Sequence, residues 1–143
     1  ADYMGIEGEI SLPFYESEGL RLIAEAGGEY VHAELRDGTP LPRIPPLGLF
    51  GALEAEAGPI DARVEVEWFA EQNRVAPFET PTDDFTFVNA SLAWSPVRGA
   101  NNVTLLAQVD NVFDVEGRRH TSFTKDFVPL PGRNFRVSAR LSF

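Results

Sequence analysis

Asn134-Phe135-Arg136-Val137-Ser138-Ala139-Arg140-Leu141-Ser142-Phe143 closes the chain, and its reading decides the fold. Odd positions are apolar and even positions polar, the mark of a β-strand with two unlike faces. A soluble strand of this kind packs its apolar face on a core. A membrane-barrel strand turns that face to lipid and its polar face to the lumen. Which solvent the apolar face meets is therefore the question for the whole chain.

The same alternation recurs upstream. Met4, Ile6, Ile10 and Leu12 alternate with Gly5, Glu7, Glu9 and Ser11. Leu20, Leu22, Ala24 and Ala26 open a second run that continues less cleanly to about Leu35. Further runs span Leu47–Ala57, Asp61–Ala70, Val88–Trp94 and Val103–Asp110, for seven predicted strands with the closing one. Regular runs of about ten residues suit a tilted strand crossing a bilayer, whereas a soluble strand averages about five or six. Trp68 and Trp94 lie near the ends of their runs on the apolar face, where an interfacial aromatic girdle belongs.

Connections alternate too. Pro13–Gly19, Gly58-Pro59 and Ser95–Asn101 read as short turns. Arg36–Pro46, Gln72–Asp84 and Asp114–Gly132 are long and rich in Pro, Gly and charge. Outer-membrane barrels alternate short periplasmic turns with long external loops. The expected fold is all-β: an antiparallel up-and-down transmembrane β-barrel segment of about seven long strands, occupying residues 1–143 as part of one domain.

Composition narrows the function. A chain of 143 residues with 43% apolar residues can order one domain. No window is apolar enough for a transmembrane helix. The net charge of −10 argues against nucleic acid, and the absence of cysteine excludes thiolate sites and disulfides. From Arg118 onward there are five arginines and Lys125 against the single acid Asp126, so an acidic body is closed by a basic strand. The two are expected to face each other across the sheet or lumen.

Four segments, in order along the chain, resemble those of TonB-dependent outer-membrane receptors. Leu41-Pro42-Arg43-Ile44-Pro45-Pro46 is similar to that family's L-P-R-I-P-P segment. Gln108-Val109-Asp110-Asn111-Val112-Phe113-Asp114 resembles its v-N-L-F-D motif, with Val112 in place of Leu. The stretch Thr121–Phe135 looks like its final loop and P-G-R-N entry to the last strand, and Phe143 matches a terminal aromatic assembly signal. Val115-Glu116-Gly117 departs from the usual Tyr-Arg continuation. The resemblance implies location in the bacterial outer membrane and active uptake of a scarce nutrient such as a ferric siderophore, energised through TonB. It also implies a 22-stranded barrel with a plug, of which this chain would supply the C-terminal strands. Ala1 reads as an interior position rather than a beginning. The implied partners are the rest of the barrel and its plug, TonB through that plug, the lipid bilayer and a small ligand such as a metal chelate; alone, the chain would have to self-associate.

No enzymatic set stands out, and no catalytic, cofactor or metal residue is expected. Glu7/Glu9, Glu54/Glu56 and Glu65/Glu67 each place two acids on one strand face, roughly 7 Å apart. That spacing suits a glycosidase pair, but its recurrence on three strands reads better as a polar lumen wall. Expected lumen charges are Glu54, Glu56, Arg63, Glu65, Glu67, Arg136 and Arg140, the arginines pairing across strands with acids. His32 and His120 have no convergent ligands; His120 is expected to be a solvated loop residue. Asp83-Asp84 lacks an EF-type spacing. Gly27-Gly28 inside a strand predicts a bulge or a close approach. External-loop candidates for ligand contact are Arg43, Asp83, Asp84, Arg118, Arg119, His120 and Lys125. Two rival readings remain: a small self-contained barrel or barrel enzyme such as a lipid hydrolase, and a soluble β-sandwich binding module.

Overall fold

The computed structural model describes residues 1–97 and 102–142. Phe143 and most of the predicted turn at 95–101 lie outside the described residues. Seven strands run β1 (Asp2–Ser17), β2 (Leu20–Glu34), β3 (Gly48–Ala57), β4 (Ile60–Phe69), β5 (Phe85–Val97), β6 (Asn102–Asp110) and β7 (Asn134–Ser142). They form one antiparallel sheet in strict chain order. The sheet is open: β1 and β7 each have one neighbour. A single up-and-down sheet is not a sandwich, so that rival reading falls.

Alternation along each strand and direct pairing across the sheet carry the two faces from end to end. The row Ile23–Glu54–Arg63–Ser91–Gln108–Arg136 crosses β2 to β7 in register. Its members point to one side because opposed residues share a face. The predicted lumen charges Glu54, Glu56, Arg63, Glu65, Glu67, Arg136 and Arg140 all lie on this polar face. The other face is apolar and open, with Ile6, Ile10, Leu53, Val64, Leu105, Val137 and Leu141 all exposed.

The molecule has almost no interior. Among the described residues, the buried apolar side chains are Ala33, Ala52, Ala76 and Phe85. The accessible surface is 9664 Å², against about 7,300 Å² for a compact monomer of this mass. A sheet with so little core is stable only where another medium covers its apolar face.

Trp68 and Trp94 bracket that face. Trp94 opposes Ile60 at one end of β4, and Trp68 lies near the other. The residue-60-to-68 step covers about 27 Å of strand, the scale of the apolar band of an outer-membrane barrel, about 25 Å.

Two turns show why the hairpins close where they do. Gly58-Pro59 joins Ala57 to Ile60, with Gly58 at φ 57°; a glycine first in a two-residue loop matches the twist of the strands it connects. The first hairpin differs from expectation. β1 continues through Ser17, with a register shift between Pro13 and Tyr15, and turns only at Glu18-Gly19. Pro13, which suggested a turn, sits instead at the irregularity, where proline is tolerated. At Gly27-Gly28 the register is unbroken, so of the two expectations the close approach holds. A Cβ on Gly27 would lie 2.5 Å from the Phe50 ring and 2.8 Å from the Gly8 carbonyl.

Candidate functional site

The polar face is built around Arg63. Its guanidinium lies 2.6 Å from Glu25 on β2, 3.4 Å from Glu54 on β3 and 2.9 Å from Glu65 on its own strand. Glu54 stands directly opposite Arg63, and Glu25 reaches the same point because Ala52 lies between Glu25 and Glu65 in the row below. A methyl side chain there leaves room for the arginine fork to cross a strand. Arginine's planar donors suit several carboxylates at once. Arg136 pairs with Asp110 on β6 at 2.8 Å rather than with the acids of β3 and β4. Arg136 of the basic closing strand thus pairs with an acid of the adjacent strand.

Toward the loop end, the polar face opens into a cleft of about 450 Å³ bordered by Glu7, Glu9, Glu29, Glu67, Phe50 and Arg119. Glu7 and Glu29 stand directly opposite each other. Among the described residues, no group of three or more His, Asp or Glu side chains converges as metal ligands. An aromatic shelf follows. Phe69 opposes Phe85, their rings stacked with centroids 5.0 Å apart, and Phe87 lies 5.0 Å from Phe85. Above it a smaller cavity, about 210 Å³, is walled by Thr82, Asp83, Arg118, Arg119 and His120.

Three long loops close over this end. His32 and Glu34 at the end of β2 hold Arg74 of the β4–β5 loop, which also donates to the Ala33 carbonyl at 3.3 Å. Gln72 donates to the Ile44 carbonyl of the β2–β3 loop at 3.1 Å. Glu79 is the common acceptor: backbone N–H groups of Arg43 and Ala76 donate to it at 2.8 and 3.1 Å, and Lys125 Nζ lies 3.2 Å away. His120 Nε2 is 3.2 Å from Glu79 and its Nδ1 3.0 Å from the Thr82 hydroxyl. Lys125 also donates to the Thr80 carbonyl at 2.7 Å. Burial works against the Glu79 anion, but the two backbone donors and Lys125 overcome it and hold the carboxyl below its usual range. Burial first, and then the Lys125 charge, push the His120 imidazole below its ordinary range against the pull of Glu79. The neutral ring then has one assignment: Nε2–H donates to Glu79 and Nδ1 accepts from Thr82.

These positions correct one expectation. His120 is not solvated; it is 2% exposed, because the β4–β5 and β6–β7 loops fold onto each other around it. Lys125 is buried at 6% for the same reason. Of the other loop candidates, Arg43 stacks its guanidinium 3.7 Å above the Phe123 ring, and Arg118 is held by Glu116 and the Lys125 carbonyl. Asp83, Asp84 and Arg119 are exposed, with Asp83 and Arg119 at the cavity. Thr82, His120 and Glu79 reproduce a hydroxyl–imidazole–carboxylate relay. Yet the hydroxyl is buried, and the neighbouring ammonium opposes the protonation a general base requires.

The motif residues act structurally. Asn111 is 2% exposed at φ 50°, a conformation asparagine tolerates better than most residues. Its side chain donates to the Val115 carbonyl at 2.8 Å and accepts the Val115 N–H at 2.9 Å, while its backbone N–H donates to the Asn89 side chain at 2.9 Å. Asp114 accepts the Arg133 N–H at 2.8 Å. The two ends of the last loop are thereby joined. Glu79, Thr82 and Arg74 were not legible as site residues, since each gains its role from a loop distant in sequence.

An open antiparallel sheet in strict strand order, with one uncovered apolar face and its long loops at one end, is a segment of a transmembrane β-barrel wall. Among solved structures, this chain is similar to the copper transporter OprC, with a TM-score of 0.75 and 25% identity over 99% of the chain. It spans 24% of that protein's chain. No family model matches the sequence, and no curated protein does.

Proposed function

We propose that the chain forms part of the wall of an active-transport barrel in the bacterial outer membrane, in the manner of a TonB-dependent receptor. It contributes seven strands and three external loops. The observation that carries this reading is the unclosed sheet with a lipid-suited face, matched across nearly its whole length by a transporter. The cargo is a scarce nutrient small enough to enter beneath the loops. A metal ion or its chelate fits best, since the similar protein transports copper. A ferric siderophore, implied by the sequence motifs, has no support from the comparison and stands as the rival cargo. The polar face lines the lumen, and Arg119 and Asp83 are the ligand-facing candidates at the cavity mouth.

Paired uptake assays in cells with and without the protein test this reading, using radioactive copper and ferric siderophore under metal limitation. TonB-dependent loss of copper uptake supports it. Loss of siderophore uptake alone overturns the cargo, and normal uptake of both overturns the transport function.

A further inference from the structure

The Glu79–His120–Lys125 group is the most deeply buried ionic feature of the described chain. Side-chain exposures are 9%, 1% and 6%. It also sits where three loops meet: Arg43 comes from the β2–β3 loop, Glu79 and Thr82 from the β4–β5 loop, and His120 and Lys125 from the β6–β7 loop. We propose that this group is an acid-released latch: a proton taken up by His120 parts the β6–β7 loop from the β4–β5 loop and opens the cavity beneath.

The geometry supplies the reason. With a neutral ring, one carboxylate meets one ammonium, and every polar atom has its partner. Lys125 Nζ lies 3.3 and 3.4 Å from the two ring nitrogens. A second cation at that distance leaves two positive charges sharing Glu79 where water cannot screen them. The Asp126 carboxylate attracts the protonated ring, but less strongly than Lys125 repels it. Asp126 also accepts the Thr80 hydroxyl, and across the cavity the Glu29 and Asp83 carboxylates share one wall with the Arg118 and Arg119 cations. Arg43 is engaged above Phe123. The closed state binds the neutral ring, so its stability is complete above the ordinary histidine value of 6.5 and is lost as pH falls below it. The proposal uses the outward placement of the loops from the reading above. Loop opening is measured directly, so it can fail or succeed whatever the cargo.

The test is hydrogen exchange by mass spectrometry on the protein in lipid nanodiscs at pH 7.5 and 5.0, corrected for intrinsic exchange rates. Peptides from 76–82 and 118–127 are expected to lose protection at pH 5.0 relative to pH 7.5, because the open state binds the His120 proton more tightly than the closed state does. Strand peptides should not change. His120→Gln removes the titration, and protection is expected to become independent of pH. Lys125→Met leaves an imidazolium facing Glu79 alone, so its loops should stay closed at pH 5.0. Unchanged wild-type protection overturns the latch, as does acid opening retained in His120→Gln. If that variant shows no protection at any pH, Lys125→Met decides: closed loops at pH 5.0 support the latch, and opening as in the wild type overturns it.

Discussion

The Asp114 carboxylate accepts the backbone N–H of Arg133 at 2.8 Å, tying the first turn after β6 to the residue before β7. Gly132 completes the contact, because a Cβ there would come within 2.7 Å of the same carboxylate oxygen. Two residues 19 apart in sequence thus close the loop at its base, and the last strand enters the sheet at a defined register. Asn111 completes the anchor from the other side. Asn111→Ala removes its amide bonds to Val115 and strands a non-glycine residue at positive φ. Its expected cost is about 3 kcal/mol, read by denaturant unfolding in lipid. Asn111→Gly, which relieves the φ, should cost less; equal losses would remove the conformational part of this account.

Charge on the two faces should have opposite consequences. Val64→Arg places a cation in the middle of the apolar face and is expected to cost about 2–4 kcal/mol in a bilayer. Ser91→Arg, on the polar face opposite Arg63 and Gln108, should cost well under that. Equal costs in lipid-embedded protein would reverse the assignment of faces.

Removing Arg63 leaves Glu25, Glu54 and Glu65 without their shared cation. Arg63→Met should destabilise by about 1–2 kcal/mol, since part-exposed pairs are individually worth well under 1 kcal/mol. The deficit should shrink as salt screens the remaining acids. Unfolding midpoints compared at low and high ionic strength give the answer.

Stability of the loop cap should fall in two stages on acidification. His120 is held neutral, so its contribution begins to fade as pH drops below 6.5. Glu79 is held ionised, so its contribution is present above 4.5 and lost as pH falls below that value. Glu79→Gln should erase the lower stage and cost about 3 kcal/mol at neutral pH, because Lys125 is left as a buried unpaired cation. Protease resistance of the loops across pH 3.5 to 8 reports both stages.

Gly27 is expected to resist substitution for two reasons that can be separated. Gly27→Ala meets both the Phe50 ring and the Gly8 carbonyl, with a cost of about 1–3 kcal/mol. Adding Phe50→Ala should recover only part of it, since the backbone clash with Gly8 remains. Full recovery would show that the ring alone excludes the side chain.

The strand set, the two faces and the alternation of turns and loops were written in local sequence. A period of two states directly which side chains share a face, and Gly58-Pro59 specifies its own turn. Arg63 was legible as a polar-face charge, because Glu54 and Glu65 lie one strand or one step away. The loop cap was not legible. Glu79 and Lys125 are 46 residues apart, and no period or motif relates them. His120 consequently reads in the sequence as an ordinary loop residue. Only tertiary structure makes it a buried imidazole, because its partners come from loops brought together by strands that pair elsewhere. Sequence by itself determined which face of each strand avoids water. The fold alone decided which loop charges meet out of water's reach, where a Coulomb interaction is strong enough to hold three loops together.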